Sequence, residues 1–308
     1  MQKRVVAVGV DLSPPSDLAA LQAQRLARHL GAELVLIHVG YVPEPLLGSP
    51  QVRHHAERAY YALVRDRLTE DRERLEALRQ RLLGQGVEIS HVVVQGHFPD
   101  TAITKTAREL DAELIVVGTQ GRTGFDRWWF GSVAETTVRA ASSSVLVARG
   151  GPEAAEGGYR TILVGTDFSS LAEHAMARAL DVAAKGAQIR VLHAWHMPGI
   201  ISPESVVGLP ELRDAVEAGC RDQSQTLLRA WRERATGFAL DGEVLEGRAR
   251  DVLVDRATAL GADLIVVGSH GRRGVRHLLL GSVAEAVVRH APCSVLVARG
   301  PEAAAASG

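Results

Sequence analysis

Apolar residues fall into two alternating kinds of segment along this chain. Short, nearly continuous, β-branched runs occupy residues 5–10, 34–39, 92–94, 114–117 and 145–147. Such runs suit strands covered on both faces, as in a parallel sheet. Between them lie stretches with helical spacing, over 17–30, 60–83, 101–110 and 133–141. In the second stretch Val64, Leu68, Leu75, Leu78 and Leu82 form one stripe among charged residues, and Gly31 is a fitting stop for the first. Strand alternating with helix predicts a doubly wound α/β sheet of about five strands.

The order then recurs, with strands expected over 161–165, 189–194, 243–245, 264–267 and 295–297. AELIVVGTQG (112–121) matches ADLIVVGSHG (262–271), GSVAE (131–135) recurs unchanged at 281–285, and ASSSVLVARG (141–150) matches APCSVLVARG (291–300). The offset is 150 residues throughout those segments; upstream, VAVGVDLS (6–13) matches ILVGTDFS (162–169) at an offset of 156. Each copy is too long for a solenoid unit and is read as a domain. The division is a first domain over 1–149, a Gly-rich linker over 150–158, a second domain over 159–299 and a tail over 300–308.

Composition narrows the function. Lys plus Arg number 35 against 36 Asp plus Glu, a net charge of -1, which argues against a general nucleic-acid binder. The two cysteines, Cys220 and Cys293, make neither a disulfide framework nor a CxxC metal pair. The apolar run at 5–10 is too short for a signal-peptide core, and no run approaches a membrane span. A soluble, cytoplasmic protein is expected, without membrane or nucleic-acid partners.

The candidate chemistry follows the fourth strand of each copy. The first reads Gly118-Thr119-Gln120-Gly121, nine residues, then Gly131-Ser132; the second reads Gly268-Ser269-His270-Gly271, nine residues, then Gly281-Ser282. Glycines admit close backbone approach, and the helix that follows presents free N–H groups and the positive end of its dipole, which suits phosphate. Ser132 and Ser282 are expected to cap these helices, with Glu135 and Glu285 as capping-box partners. A Gly-rich loop and a capped helix also occur in α/β proteins without a ligand.

These loops fit the G-x2-G-x9-G-(S/T) motif of the universal stress protein family without a gap, and the chain resembles two tandem domains of that family. Asp11 in VGVDLS and Asp167 in VGTDFS match the carboxylate that ends its first strand; His38-Val39 and His193-Ala194 match the pair that ends its second. The resemblance implies two Rossmann-like, adenine-nucleotide α-hydrolase-like domains with five-stranded parallel sheets that bind ATP, or ADP or AMP, with Mg2+. Main-chain groups of Val39 and Ala194 would meet the adenine edge, and Asp11 and Asp167 would sit near the nucleoside or its metal ion. Gly118, Gly121, Gly268 and Gly271 would line ribose and the first phosphates. Gly131, Ser132 and Val133, with Gly281, Ser282 and Val283, would hold the outer phosphates. His270 belongs to the second, more typical loop. Arg122 and Arg272 either add charge there or are solvated loop residues. Trp128-Trp129-Phe130 in the first loop either pack beneath it or crowd its pocket.

Enzymatic chemistry is not indicated: no Walker A, kinase or GxSxG motif occurs, and a Gly loop with one Asp supplies a holder without an evident base. His54-His55, in an expected polar loop, and His193 and His196 are weak metal candidates, since adjacent residues rarely chelate one ion. The rival reading is a nucleotide-free interaction protein of the same fold. The family's pairing through its last strand implies that 144–148 and 294–298 pair inside one chain, with a homodimer of tandem chains and a regulatory protein as further partners.

Overall fold

In a computed structural model, residues 3–41, 50–84, 86–96, 98–119, 131–150, 157–196, 210–271 and 280–300 are described. The chain divides into two compact units, Met1–Ala141 and Ser142–Gly308. Both are α/β with a mostly parallel sheet, as the alternating pattern predicts.

The first unit runs β1 (Val5–Val10), α1 (Pro14–Leu30), β2 (Glu33–Tyr41), α2 (Pro50–Leu82), β3 (Ile89–Gly96), α3 (Pro99–Glu109), β4 (Leu114–Gly118) and α4 (Ser132–Ala140). Its strands lie in the order β3-β2-β1-β4, all parallel. Helix α1 starts three residues before the apolar spacing begins, because Pro14 brings a helical φ and Ser13 caps it. Ser13 Oγ accepts from Ser16 N at 3.4 Å while Ser16 Oγ accepts from Ser13 N at 3.2 Å, a reciprocal box. Helix α2 starts ten residues ahead of the expected stretch, at Pro50 rather than Tyr60. His54 and His55 therefore stand in a helix rather than in the polar loop expected of them.

Side-chain alternation along β2 puts helices on opposite faces of this sheet. Gly40 faces Leu68 of α2, whose Cδ2 would lie 2.5 Å from a Cβ there. Val39 points the other way: a Cβ on Gly96 would lie 3.7 Å from Val39 Cγ1 and 3.8 Å from Ala102 Cβ of α3. His38 shares the α2 face. Its Nδ1 donates to Val10 O at 2.8 Å, and its Nε2 lies 3.4 Å from Asp71 Oδ2, with the two side chains only 2% and 4% exposed. Arg74, one turn along α2, donates to Leu12 O at 2.9 Å. The helix is thus fastened over the turn that leaves β1.

The second unit runs β5 (Ser144–Ala148), β6 (Tyr159–Gly165), α5 (Ser170–Val182), β7 (Ala183–Trp195), α6 (Pro210–Arg232), β8 (Ala239–Glu246), α7 (Ala249–Leu260), β9 (Leu264–Gly268), α8 (Ser282–His290) and β10 (Ser294–Ala298). The order is β5-β10-β9-β6-β7-β8. All neighbours are parallel except β5 and β10, which pair antiparallel through Val145↔Val297, Leu146↔Leu296 and Val147↔Val295. The pairing expected of the two last strands therefore forms within one chain. Buried serines close it: Ser294 Oγ accepts from Arg149 N and donates to Arg149 O, both at 3.0 Å, and Arg299 N donates to Ser144 Oγ at 3.2 Å. Both strands are buried along their whole length, as continuous apolar runs require. Among the described residues, no helix is long and apolar enough to cross a membrane.

Two substitutions separate backbone strain from steric clash. Gly158 has φ +98°, and a Cβ there would stand 2.6 Å from Ala184 N; Gly31 has φ +62° with nothing within 4 Å. Gly158→Ala should cost about 3 kcal/mol and Gly31→Ala about 1 kcal/mol, a ranking that urea denaturation checks. Asp71→Ala, which strips a buried imidazole of its partner, should cost about 2 kcal/mol and raise amide exchange in α2, read by mass spectrometry.

Candidate functional site

In each unit the strand order reverses beside the first strand of the copy, between β1 and β4 and between β6 and β9. Helices leave in opposite directions at such a point and open a crevice beyond the carboxyl ends of the strands. Asp11 directly follows β1 and Asp167 lies two residues beyond β6, so each stands at that crevice.

Both aspartates belong to an Asp-x-Ser turn with the same geometry. Asp11 Oδ1 accepts from Ser13 N at 3.0 Å and from Ser13 Oγ at 2.5 Å; Asp167 Oδ1 accepts from Ser169 N at 3.1 Å and from Ser169 Oγ at 2.6 Å. The middle residues, Leu12 and Phe168, take φ of +62° and +63°. That conformation is unfavourable for side chains with a Cβ, and its recurrence at one place in both copies marks a turn held for its geometry. The serines were not singled out in the sequence, although DLS and DFS carry the signal. With Oδ1 engaged by the turn, Asp167 turns Oδ2 toward the glycine loop: a Cβ on Gly271 would lie 2.9 Å from it.

Next to these turns, Val39 and Ala194 are partly exposed, one residue beyond the histidines of β2 and β7. His193 Nδ1 donates to Thr166 O at 2.9 Å, as His38 does to Val10 O. The two corners then differ. His38 meets the buried carboxylate of Asp71, whereas the ring of Phe168 lies 4.3 Å from that of His193, centroid to centroid.

The ends of each glycine loop are tied together. Gly118 and Gly268 are the last residues of β4 and β9, and just beyond them Thr119 O accepts from Gly131 N at 3.0 Å and Ser269 O accepts from Gly281 N at 2.7 Å. The second closure is the tighter one. A Cβ on Gly281 would lie 3.0 Å from His270 Cα and 3.3 Å from Ser269 O; among the described residues, one on Gly131 would meet Thr119 O, at 3.4 Å. Ser269 is fully buried, its N–H donating to Ala298 O at 3.0 Å and its hydroxyl 3.0 Å from Nδ1 of His270.

The expected serine caps do not form. Gly131 and Gly281 are the N-cap residues, with φ/ψ of -65°/138° and -64°/145° and no side-chain cap. Ser132 and Ser282 are the first helical residues, and from there a hydroxyl cannot reach back to the amides of its own first turn. Both serines are exposed instead. Glu135 and Glu285 pair with Arg139 at 3.0 Å and Arg289 at 3.5 Å rather than closing a box. The amides of Ser282, Val283 and Ala284 therefore have neither an intrahelical acceptor nor a side-chain cap, and the same holds for Ser132, Val133 and Ala134. Gln120, Gly121, Arg122, the aromatic run at 128–130 and Arg272 lie outside the described residues. Among the described residues, no three His, Cys, Asp or Glu side chains are grouped to hold a metal ion.

Comparison with known proteins agrees with this arrangement. The universal stress protein family model matches twice, over residues 3–149 and 158–299. A universal stress protein of Mycolicibacterium smegmatis is 30% identical over 96% of this chain and 96% of its own. One from Mycobacterium tuberculosis is 29% identical over 96% of this chain and 95% of its own. Among solved structures, a universal stress protein from Archaeoglobus fulgidus superposes with a TM-score of 0.63 at 20% identity, over 97% of this chain and 99% of that one, a likeness of fold. The chain belongs to the universal stress protein family, with two copies of the family domain in tandem.

Proposed function

We propose that this chain is a regulatory ATP-binding protein of the cytoplasm, with its better-formed site in the second half. One observation carries the reading: a helix that opens on Gly281, whose N–H is tied to Ser269 O, leaving the first-turn amides of α8 without an acceptor among the described residues. Those amides and the dipole behind them suit the outer phosphates of a nucleotide. The fit is supported by the space at Gly281 and Gly271, where a Cβ would press on backbone or on Asp167. Ser282, exposed at the helix start, adds a hydroxyl, and Ala194 offers main-chain groups to the adenine edge. ADP and AMP would share the adenine and inner contacts and forgo the outer ones.

Mg2+ would arrive with the phosphates, which normally supply part of its octahedral oxygen shell. Asp167 Oδ2 is the carboxylate oxygen nearest the loop and would contribute through water or directly. Among the described residues no group at this site is placed as a base toward a phosphate-attacking nucleophile, and binding rather than turnover is the proposed activity. The nucleotide would act by favouring one state of the protein over another. Asp11, Val39, Gly118, Gly131, Ser132 and Val133 form the corresponding site in the first half, with a longer closing hydrogen bond at Gly131.

Denaturing the purified protein and chromatographing the supernatant should release ATP or ADP, and added Mg-ATP should raise the melting temperature. Failure of both would favour the nucleotide-free interaction protein. Gly281→Val sets a branched side chain against His270 Cα and should weaken ATP binding in the second half at least ten-fold, about 1.4 kcal/mol. Far-UV circular dichroism should not change, and isothermal titration reads the affinity.

A further inference from the structure

The helix that opens the second site is finished by a residue of the first sequence copy. Arg149 is the last residue of the first family match and directly follows β5. Within the second compact unit its guanidinium spans the C-terminal end of α8. One terminal nitrogen donates to Ala291 O, and the other to Val288 O at 2.7 Å and Arg289 O at 3.3 Å. These carbonyls lie where a helix has no amides left to give, and where its dipole is negative. The side chain is half-buried, so burial pulls its pKa below the ordinary arginine value, and the three carbonyls compensate the charge there.

We propose that Arg149 is a positioning residue for the phosphate-facing helix of the second site. Helix α8 has only 9 residues, about 13 Å, so its uncapped first turn and its arginine-capped last turn are little more than one turn apart. A helix this short keeps its first turn ordered only while its last turn holds. The planar fork reaches three carbonyls at once, which a lysine ammonium on a flexible stem does not reproduce. Strand β5 pairs with β10 through main chain and serines, so substitution at Arg149 leaves that ladder in place. The inference rests on the nucleotide reading of the second site and adds a distant residue to it.

The test is hydrogen–deuterium exchange by mass spectrometry on the full chain, as wild type, Arg149→Gln and Arg149→Lys. Each is measured alone, with ATP, with sodium tripolyphosphate and with adenosine. In the wild type, ATP and tripolyphosphate should protect the segment 281–291, and adenosine the segment 189–196. Without ligand, Arg149→Gln should speed exchange over 281–291. The tripolyphosphate concentration that gives half-protection should rise about five-fold, a typical effect of a cation at a helix C-terminus, while adenosine protection stays unchanged. Arg149→Lys should fall between wild type and Arg149→Gln, and it decides the matter if Arg149→Gln does not fold. Wild-type-like phosphate protection in the folded variants would overturn the role of Arg149 while leaving the nucleotide reading intact. An equal loss for adenosine and tripolyphosphate would reduce the residue to general stability and overturn the proposal as well. No protection of the wild type by any of the ligands would defeat the nucleotide reading itself, and this inference with it.

Discussion

A helix that starts on glycine starts without a side chain to satisfy its first amides, and both copies of this domain are arranged around that fact. Serine or aspartate at the N-cap would have closed the helix on itself. Here the glycine gives its own N–H to the carbonyl at the far end of the loop, at Ser269 or Thr119, and has no side-chain oxygen for the amides of the turn behind it. The donors of α4 and α8 are left pointing into a crevice that the sheet topology opens, beside a carboxylate whose one oxygen is already occupied. The same glycine that allows the tight loop closure also leaves the helix start open. That is why Gly281, rather than the serine after it, is the residue on which the site turns.

The fold was legible because both faces of the sheet are covered. Strands such as Leu114–Gly118 and Leu264–Gly268 read as unbroken apolar runs for the same reason that they are buried. Helix ends were less legible. The start of α1 lies in Pro14 and Ser13, which carry no apolar signal, and the sequence of the first third of α2 shows no apolar stripe. In the site, the glycine spacing was readable but the cap was misplaced by one residue, since a Gly-Ser pair does not say which member leaves helical geometry. The serines of the Asp-x-Ser turns were readable and passed over. Arg149 and Asp71 were not readable, because their partners lie 139 or more and 33 residues away in the chain. Nothing local distinguishes such residues from solvated charge.

Duplication preserved the loop closures and the Asp-x-Ser turns but not the corner behind them. In the first copy a long helix is held over the β1 turn by a buried His38–Asp71 contact and by Arg74 on Leu12 O. In the second, the histidine keeps the matching bond, to Thr166 O just beyond β6, and the ring of Phe168 stacks near it. The retained parts are main-chain geometry and the changed parts are side-chain packing.

Strand β5 belongs to the first copy by sequence and to the second compact unit by contact. A gene split at the linker would leave that strand on the first product. The second product would then bare one flank of β10, five buried residues, four of them apolar, with unpaired main-chain groups, an edge prone to aggregation or to recruiting a replacement strand. The two copies are in this sense heritable only together, and drift in β5 is answerable to the half it no longer adjoins in the sequence repeat.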